Sequence, residues 1–279
     1  MLIIKNIISL QKKLDNLRKN NNEISLVPTM GSLHKGHLSL VKKAKREKRI
    51  VIVSVFINPI QFGDNEDFKK YPKKINEDTR LLKKLSVDIL FLPNENEILN
   101  YKTSKLKRSR FQIEKILCGK SRPNYFPGVG EIIIKLFDIT KPNYAYFGEK
   151  DYQQYYFIKL LSNKLKFNTK ILSGRTIRDN HGLALSSRNL YLNNKEKIIA
   201  QNIIKILRKT KRELSKKWEP SIIINENKKI LIQRGVSKID YFELRSETLK
   251  KNVKKKEKAR LFIAVFIGST RLIDNIKVN

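Results

Sequence analysis

Cysteine is almost absent from this chain. One cysteine among 279 residues, Cys118, excludes an internal disulfide and a metal cage built from thiolates. Long apolar runs are missing too, so no stretch of the sequence reaches the length of a membrane span. The opening segment, MLIIKNIISLQKKLDNLRK, is too rich in lysine and too amphipathic to be the apolar core of a signal peptide. It reads as a short strand followed by a helix. These absences lead us to expect a soluble cytoplasmic protein with no membrane partner. Internal repeats and Pro/Gly/Ser-rich linkers are also lacking. A chain of this length therefore holds one large domain, or one large and one small.

Acidic residues are few, 26 against 60 lysines and arginines, which leaves a net charge of +34. An excess of that size usually points to a polyanion partner. Here the basic residues are spread along the whole chain and are mostly lysine, alongside abundant asparagine and isoleucine. AT-rich codon usage leaves that bias on solvated faces. The densest clusters, KKAKREKR (42–49) and KKNVKKKEKAR (250–260), carry no interleaved aromatics. No nucleic-acid partner is expected.

What is present is a repeated strand–helix alternation. ISLVPT (24–29) reads as a buried strand, HLSLVKKAKRE (37–47) has helical spacing at Leu38, Val41 and Ala44, and RIVIVSVFIN (49–58) is a β-branched run. Strand, helix and strand this close make a βαβ unit and hence a parallel sheet. The pattern continues with a helix in INEDTRLLKKL, a strand in VDILFLP, a helix in GVGEIIIKLFDI, a strand in NYAYFG, a helix in DYQQYYFIKLLSNKL and a strand in NTKILS. The expected fold is a Rossmann-like, doubly wound α/β domain over residues 1–174. Beyond GRTIRDNHGLALSSRNLYL the style changes. Two helices over 195–235 and strands in IDYFELR and RLFIAVFIG predict a smaller α+β domain over 175–279.

Histidine is scarce as well, three in all, yet two of them stand together in VPTMGSLHKGH, where a strand gives way to a helix. In open α/β sheets ligands bind at such carboxyl ends. Gly31 and Gly36 permit close backbone approach, and a helix beginning near His37 offers N–H groups to an anion. Two imidazoles beside them can donate to phosphate oxygens. The loop is not GxxxxGK[ST], and it is not HExxH, so neither a P-loop nor a zinc site is indicated. A purely structural role for the pair is the alternative.

The H-x-G-H element resembles the phosphate-binding signature of the nucleotidylyltransferase superfamily. Five segments in order, VPTMGSLHKGH, VSVFINPIQFGDNEDFKKYP, KLFDITKPNYAYFGEKDYQQ, DNHGLALSSRNLYL and TRLIDNI, resemble the pantothenate synthetase (pantoate–β-alanine ligase) family. The resemblance runs from residue 1 to about 275. It implies a two-step, AMP-forming ligation. Pantoate and Mg²⁺·ATP give pantoyl adenylate and pyrophosphate, and the amine of β-alanine then gives pantothenate and AMP. It also implies a homodimer. Such chemistry needs positioning and charge neutralisation rather than a protein nucleophile.

By this resemblance Met30, Gly31, Ser32, Leu33, His34, Lys35, Gly36 and His37 line the ATP site, with His34 and His37 on the phosphates and His37 donating a proton toward the leaving group. For Met30 alone, core packing is the alternative. Gln61 and Gln154 would hydrogen-bond pantoate; otherwise they belong to a turn and to a helix surface. Gly148, Glu149, Lys150 and Asp151 would contact the nucleotide, Lys150 neutralising phosphate charge. Ile177 and Leu185 would flank it. Ser186, Ser187 and Arg188 would form a second phosphate-binding element, against a helix cap at Ser187. Arg122 would reach phosphate from an opposite wall. Asp78 would be the acid associated with Mg²⁺, against an ordinary helix-dipole partner. Three positions depart from the family pattern: Tyr125 for histidine, Glu131 for threonine and His181 for aspartate. A carboxylate at 131 facing inward would weaken ATP binding. Another adenylyltransferase of this superfamily, and a basic nucleic-acid-binding protein, remain as alternatives. The two glutamines and the SSRN block argue against the first.

Overall fold

The computed structural model describes residues 1–64, 66–106 and 111–279. The strands are β1 (Leu2–Ile4), β2 (Ile24–Thr29), β3 (Ile50–Val55), β4 (Ile89–Phe91), β5 (Tyr144–Gly148), β6 (Lys170–Gly174), β7 (Lys238–Ser246), β8 (Ala259–Ile267) and β9 (Thr270–Lys277). The helices are α1 (Ile7–Lys19), α2 (Lys35–Lys45), α3 (Ile75–Lys84), α4 (Glu95–Leu99), α5 (Cys118–Ser121), α6 (Tyr125–Thr140), α7 (Tyr152–Lys164), α8 (Asn194–Lys216) and α9 (Pro220–Gln233). Short 3₁₀ turns at Pro59–Gln61, Glu149–Asp151 and Ser187–Tyr191 join some of them. No helix among the described residues is long and apolar enough to cross a membrane. The chain divides into two compact units, Met1–Glu149 with Gln154–Arg175, and Lys150–Gln153 with Thr176–Asn279.

The first unit is a Rossmann-like parallel sheet in the order β1-β4-β3-β2-β5-β6, flanked by helices. Its β-branched strands are buried because helices cover the sheet, so Val27, Val51 and Val53 pack with Leu40, Val41 and Leu82 of α2 and α3. The strand order reverses between β2 and β5, which are hydrogen-bonded neighbours paired at Ser25↔Tyr144 and Leu26↔Ala145. That is the switch point at which α/β sheets bind ligands. The two loops that leave it begin after Thr29 and after Gly148, and both belong to the quoted motifs.

The second unit is a three-stranded antiparallel sheet, β7-β8-β9, packed with α8 and α9. Strand β9 is an addition to the expected elements. TRLIDNI stands out in the sequence only as a motif, yet it alternates buried and half-buried side chains against β8 in a tight hairpin. Two starts also differ from expectation. Helix α2 opens at Lys35 rather than near His37, and α6 opens at Tyr125, three residues before the apolar run that announces it.

Candidate active site

The H-x-G-H loop is shaped by three local choices. Gly31 at φ +79° and Ser32 at φ +49° turn the chain after β2. A Cβ on Gly31 would lie 3.0 Å from Val55 Cγ1 and 3.1 Å from Asp78 Oδ2, so glycine is needed for space as well as conformation. Asp78, in the first turn of α3 and almost fully buried, accepts the backbone N–H of Ser32 at 2.8 Å and of Leu33 at 2.7 Å. Burial raises its pKa above the ordinary carboxylate range, although the two amide bonds pull the other way.

The two histidines then cap the helix. His34 is the N-cap of α2, and its Nδ1 accepts the Gly36 N–H at 3.1 Å. His37, at the N3 position, accepts the His34 N–H on its own Nδ1 at 3.4 Å. This is a capping box built from imidazoles in place of the usual hydroxyl and carboxylate. The rings lie 4.1 Å apart, tilted by 31°. Gly36 makes room for this, since a Cβ there would stand 2.8 Å from both Cε1 and Nδ1 of His34. An Nδ1 that accepts a hydrogen bond carries no proton, so each neutral ring holds its N–H on Nε2. The pair therefore presents two Nε2–H donors at a helix start.

A second group of polar residues meets the first at Met30. Gln61 Nε2 lies 2.8 Å from Met30 Sδ, while Gln61 Oε1 accepts from Asn58 Nδ2 at 3.3 Å. Asn58 is buried, also donates to the Gly128 carbonyl at 3.0 Å, and caps the turn that carries Gln61 by accepting the Ile60 N–H. Gly128 of α6 lets that turn lie against the helix, because a Cβ there would be 2.6 Å from the Gln61 nitrogen. Arg122 donates to the Gln61 carbonyl at 3.3 Å, pairs through two nitrogens with Glu66, and stacks 4.0 Å over the Tyr125 ring. The Tyr125 hydroxyl donates to Gln154 Oε1 at 2.5 Å. Arg122, expected to reach phosphate, is thus neutralised by Glu66 and braces the glutamine wall. Neither Asn58 nor Glu66 stands out in the sequence. The Asn-Pro pair at 58–59 is a turn signal that could have marked Asn58, whereas Glu66 finds Arg122 across 56 residues with no local sign.

The departures from the family pattern have distinct fates. Glu131 binds Lys135, one turn further along α6, at 2.8 Å, and Lys135 is almost fully buried and also donates to the Leu99 carbonyl. The extra carboxylate is therefore committed to a buried lysine. His181 is exposed on a turn tied by Asp179, which accepts the N–H groups of His181 and Leu183, both at 2.9 Å.

At the end of β5, Gly148 has no atom within 4 Å of where a Cβ would stand, and Glu149 accepts from Ser173 Oγ at 3.0 Å. In the second unit Lys150 Nζ stands 3.5 Å from Asp151, and its carbonyl accepts from Asn275 of β9 at 2.9 Å. Ile177 and Leu185 are joined by a backbone bond of 2.9 Å. The cap of the following 3₁₀ turn is Ser186, which accepts the Arg188 N–H at 3.3 Å; Ser187, for which a cap was the alternative to phosphate binding, is buried inside the turn. Among the described residues no group of three or more His, Cys, Asp or Glu could hold a metal ion. Asp78, with both oxygens engaged by backbone amides, fits a loop anchor better than a resident cation site.

Comparison with known proteins agrees along the whole chain. The family model described as pantoate-beta-alanine ligase matches residues 2–277. A pantothenate synthetase of Buchnera aphidicola subsp. Acyrthosiphon pisum (strain 5A) is 46% identical over 286 residues, covering 100% of this chain and 99% of the relative. The crystal structure of pantothenate synthetase from Thermus thermophilus superposes with a TM-score of 0.91 at 33% identity, covering 100% and 99% of the two chains. That of pantoate-beta-alanine ligase from Francisella tularensis, complexed with beta-gamma ATP and beta-alanine, gives 0.84 at 39%, covering 100% and 98%.

Proposed function

The chain belongs to the pantoate–β-alanine ligase family, and from that premise we propose how its residues carry out the reaction. The activity is ATP-dependent condensation of pantoate with β-alanine through an acyl adenylate. A pantoate carboxylate oxygen attacks the α-phosphorus of ATP, and the bond to the bridging oxygen breaks to release pyrophosphate. The β-alanine amine then attacks the acyl carbon, the bond to AMP breaks, and the nitrogen loses its extra proton.

The observation that carries this reading is the reciprocal imidazole cap. His34 and His37 are held by their own helix start through Nδ1, which places their N–H on Nε2, at the switch point of the sheet. Preorganised donors of this kind stabilise negative charge developing on phosphate oxygens without reorganising during the reaction. His37 donates its Nε2–H as a hydrogen bond toward the departing pyrophosphate. Gln61 and Gln154 bind the acid. Lys150, Ser186, Ser187 and Arg188 are assigned to phosphate by the family resemblance. Mg²⁺ enters with the nucleotide, bound mainly by phosphate oxygens, as is usual for this ion. A homodimer in the cytoplasm completes the proposal, and sedimentation velocity tests the dimer.

The deciding experiment is pyrophosphate release from Mg·ATP with β-alanine withheld and pantoate present or absent, beside His37→Ala. Release that depends on pantoate and collapses in the variant supports the reading. Release indifferent to pantoate from folded protein ends it.

A further inference from the structure

Two glutamine amides face the same chemical question. An amide can offer a ligand either its oxygen or its N–H₂, and the two ends have nearly the same shape. The surrounding protein decides which end is offered. For Gln61 the oxygen is taken by Asn58 Nδ2, leaving the nitrogen, which lies beside Met30. For Gln154 the decision falls to the single phenol of Tyr125, which donates to Oε1 at 2.5 Å.

We infer that Tyr125 is a positioning residue for the acid substrate: its hydroxyl pins the Gln154 oxygen, so that the amide offers the ligand hydrogen donors only. The inference rests on the assignment of Gln154 to the acid. Three observations make the phenol a rigid reference. Its ring is buried, with the whole residue 9% exposed. The Arg122 guanidinium stacks on one side at 4.0 Å and is itself clamped by Glu66. Phe126 meets the ring edge-on with centroids 5.0 Å apart. Both glutamines then present N–H groups, a donor pair matched to a substrate whose carboxylate and hydroxyl oxygens accept. Arg122 couples the two sides, since it also donates to the Gln61 carbonyl at 3.3 Å. The residue that departs from the family pattern beside the glutamine wall thus takes part in recognition. Tyrosine reaches Gln154 and still packs as an aromatic.

The test is a double-mutant cycle of Tyr125→Phe and Gln154→Ala, read as separate KM values for pantoate and ATP. Phenylalanine keeps the ring, the stack on Arg122 and the contact with Phe126, and removes one oxygen. Loss of a single positioning hydrogen bond predicts a rise in KM for pantoate of up to about tenfold, with KM for ATP and the melting temperature nearly unchanged. In the Gln154→Ala background the same substitution should add nothing, because its only route to the substrate has gone. A Tyr125→Phe enzyme with unchanged KM for pantoate, one in which both KM values rise together, or one that loses the same factor without Gln154 overturns the inference. The wild-type enzyme is assayed alongside for pantoate dependence. If that dependence is absent, the functional reading fails and takes this inference with it; if it is present, only the variants decide.

Discussion

The Asp78 carboxylate receives the backbone N–H of Leu33 at 2.7 Å, a bond that joins residues 45 positions apart and holds the histidine loop to α3. Asparagine at 78 would keep one acceptor and set an N–H₂ against the other amide. We expect Asp78→Asn to cost about 1–3 kcal/mol of stability at neutral pH, the usual penalty for a buried donor left without its acceptor. It should also raise KM for ATP. Chemical denaturation and initial-rate kinetics measure both.

The same carboxylate gives a pH signature. Its folded pKa is raised, so the folded state keeps the proton to higher pH than the unfolded chain does. Stability from this group is greatest below the ordinary aspartate pKa of about 4 and falls as pH rises toward the folded value. Melting temperatures of wild type minus Asp78→Asn, plotted against pH, should decline through that window. Parallel curves would remove the assignment.

His34 has two jobs that substitution can separate. Asparagine is a good N-cap and replaces the bond to Gly36, but it lacks the imidazole Nε2–H. His34→Asn should therefore melt close to wild type while adenylation slows by about 10²–10³-fold. His34→Ala should lose both, with about 1 kcal/mol of stability gone along with the cap. Wild-type activity in His34→Asn, beside a destabilised His34→Ala, would confine His34 to capping.

Gly128→Ala places a methyl 2.6 Å from the Gln61 nitrogen, in backbone that has nowhere to move cheaply. The turn carrying Gln61 must shift. Overpacking of this kind costs about 1–3 kcal/mol, and KM for pantoate should rise more than KM for ATP. A crystal structure of the variant would show the Pro59–Gln61 turn displaced from α6.

Glu131→Thr would restore the residue expected from the family at that position and remove the carboxylate beside buried Lys135. Glu131 is partly exposed, so the loss is moderated by solvent, and about 1–2 kcal/mol is expected. Lys135→Met added to it should recover most of that loss. Failure of the second change to rescue would mean that Lys135 is satisfied by the Leu99 carbonyl alone.

The sheet was legible because β-branched runs and helical spacing alternate through the first 174 residues, and each buried strand announces itself by composition. Strand β9 was not, because TRLIDNI mixes charge with apolar residues and its pairing with β8 is decided in space. In the site, the glycine–histidine loop could be read locally, since caps and turns are short-range objects. The partners that give those residues their state could not. Asp78 meets the loop across 45 positions, Glu66 meets Arg122 across 56, and Tyr125 meets Gln154 across 29. Periodicity carries no information about such pairs.

The interval between His34 and His37 is the interval between the N-cap and the third residue of an α-helix. Secondary structure and chemistry thus share one ruler in this loop. A residue inserted or deleted between the two histidines would undo the helix start and swing the imidazoles away from the ligand in the same event. No intermediate spacing keeps one property while exploring the other. For this reason drift at positions such as 125 and 131 can be absorbed by new partners, while the spacing of H-x-G-H has no neighbouring solution to drift into.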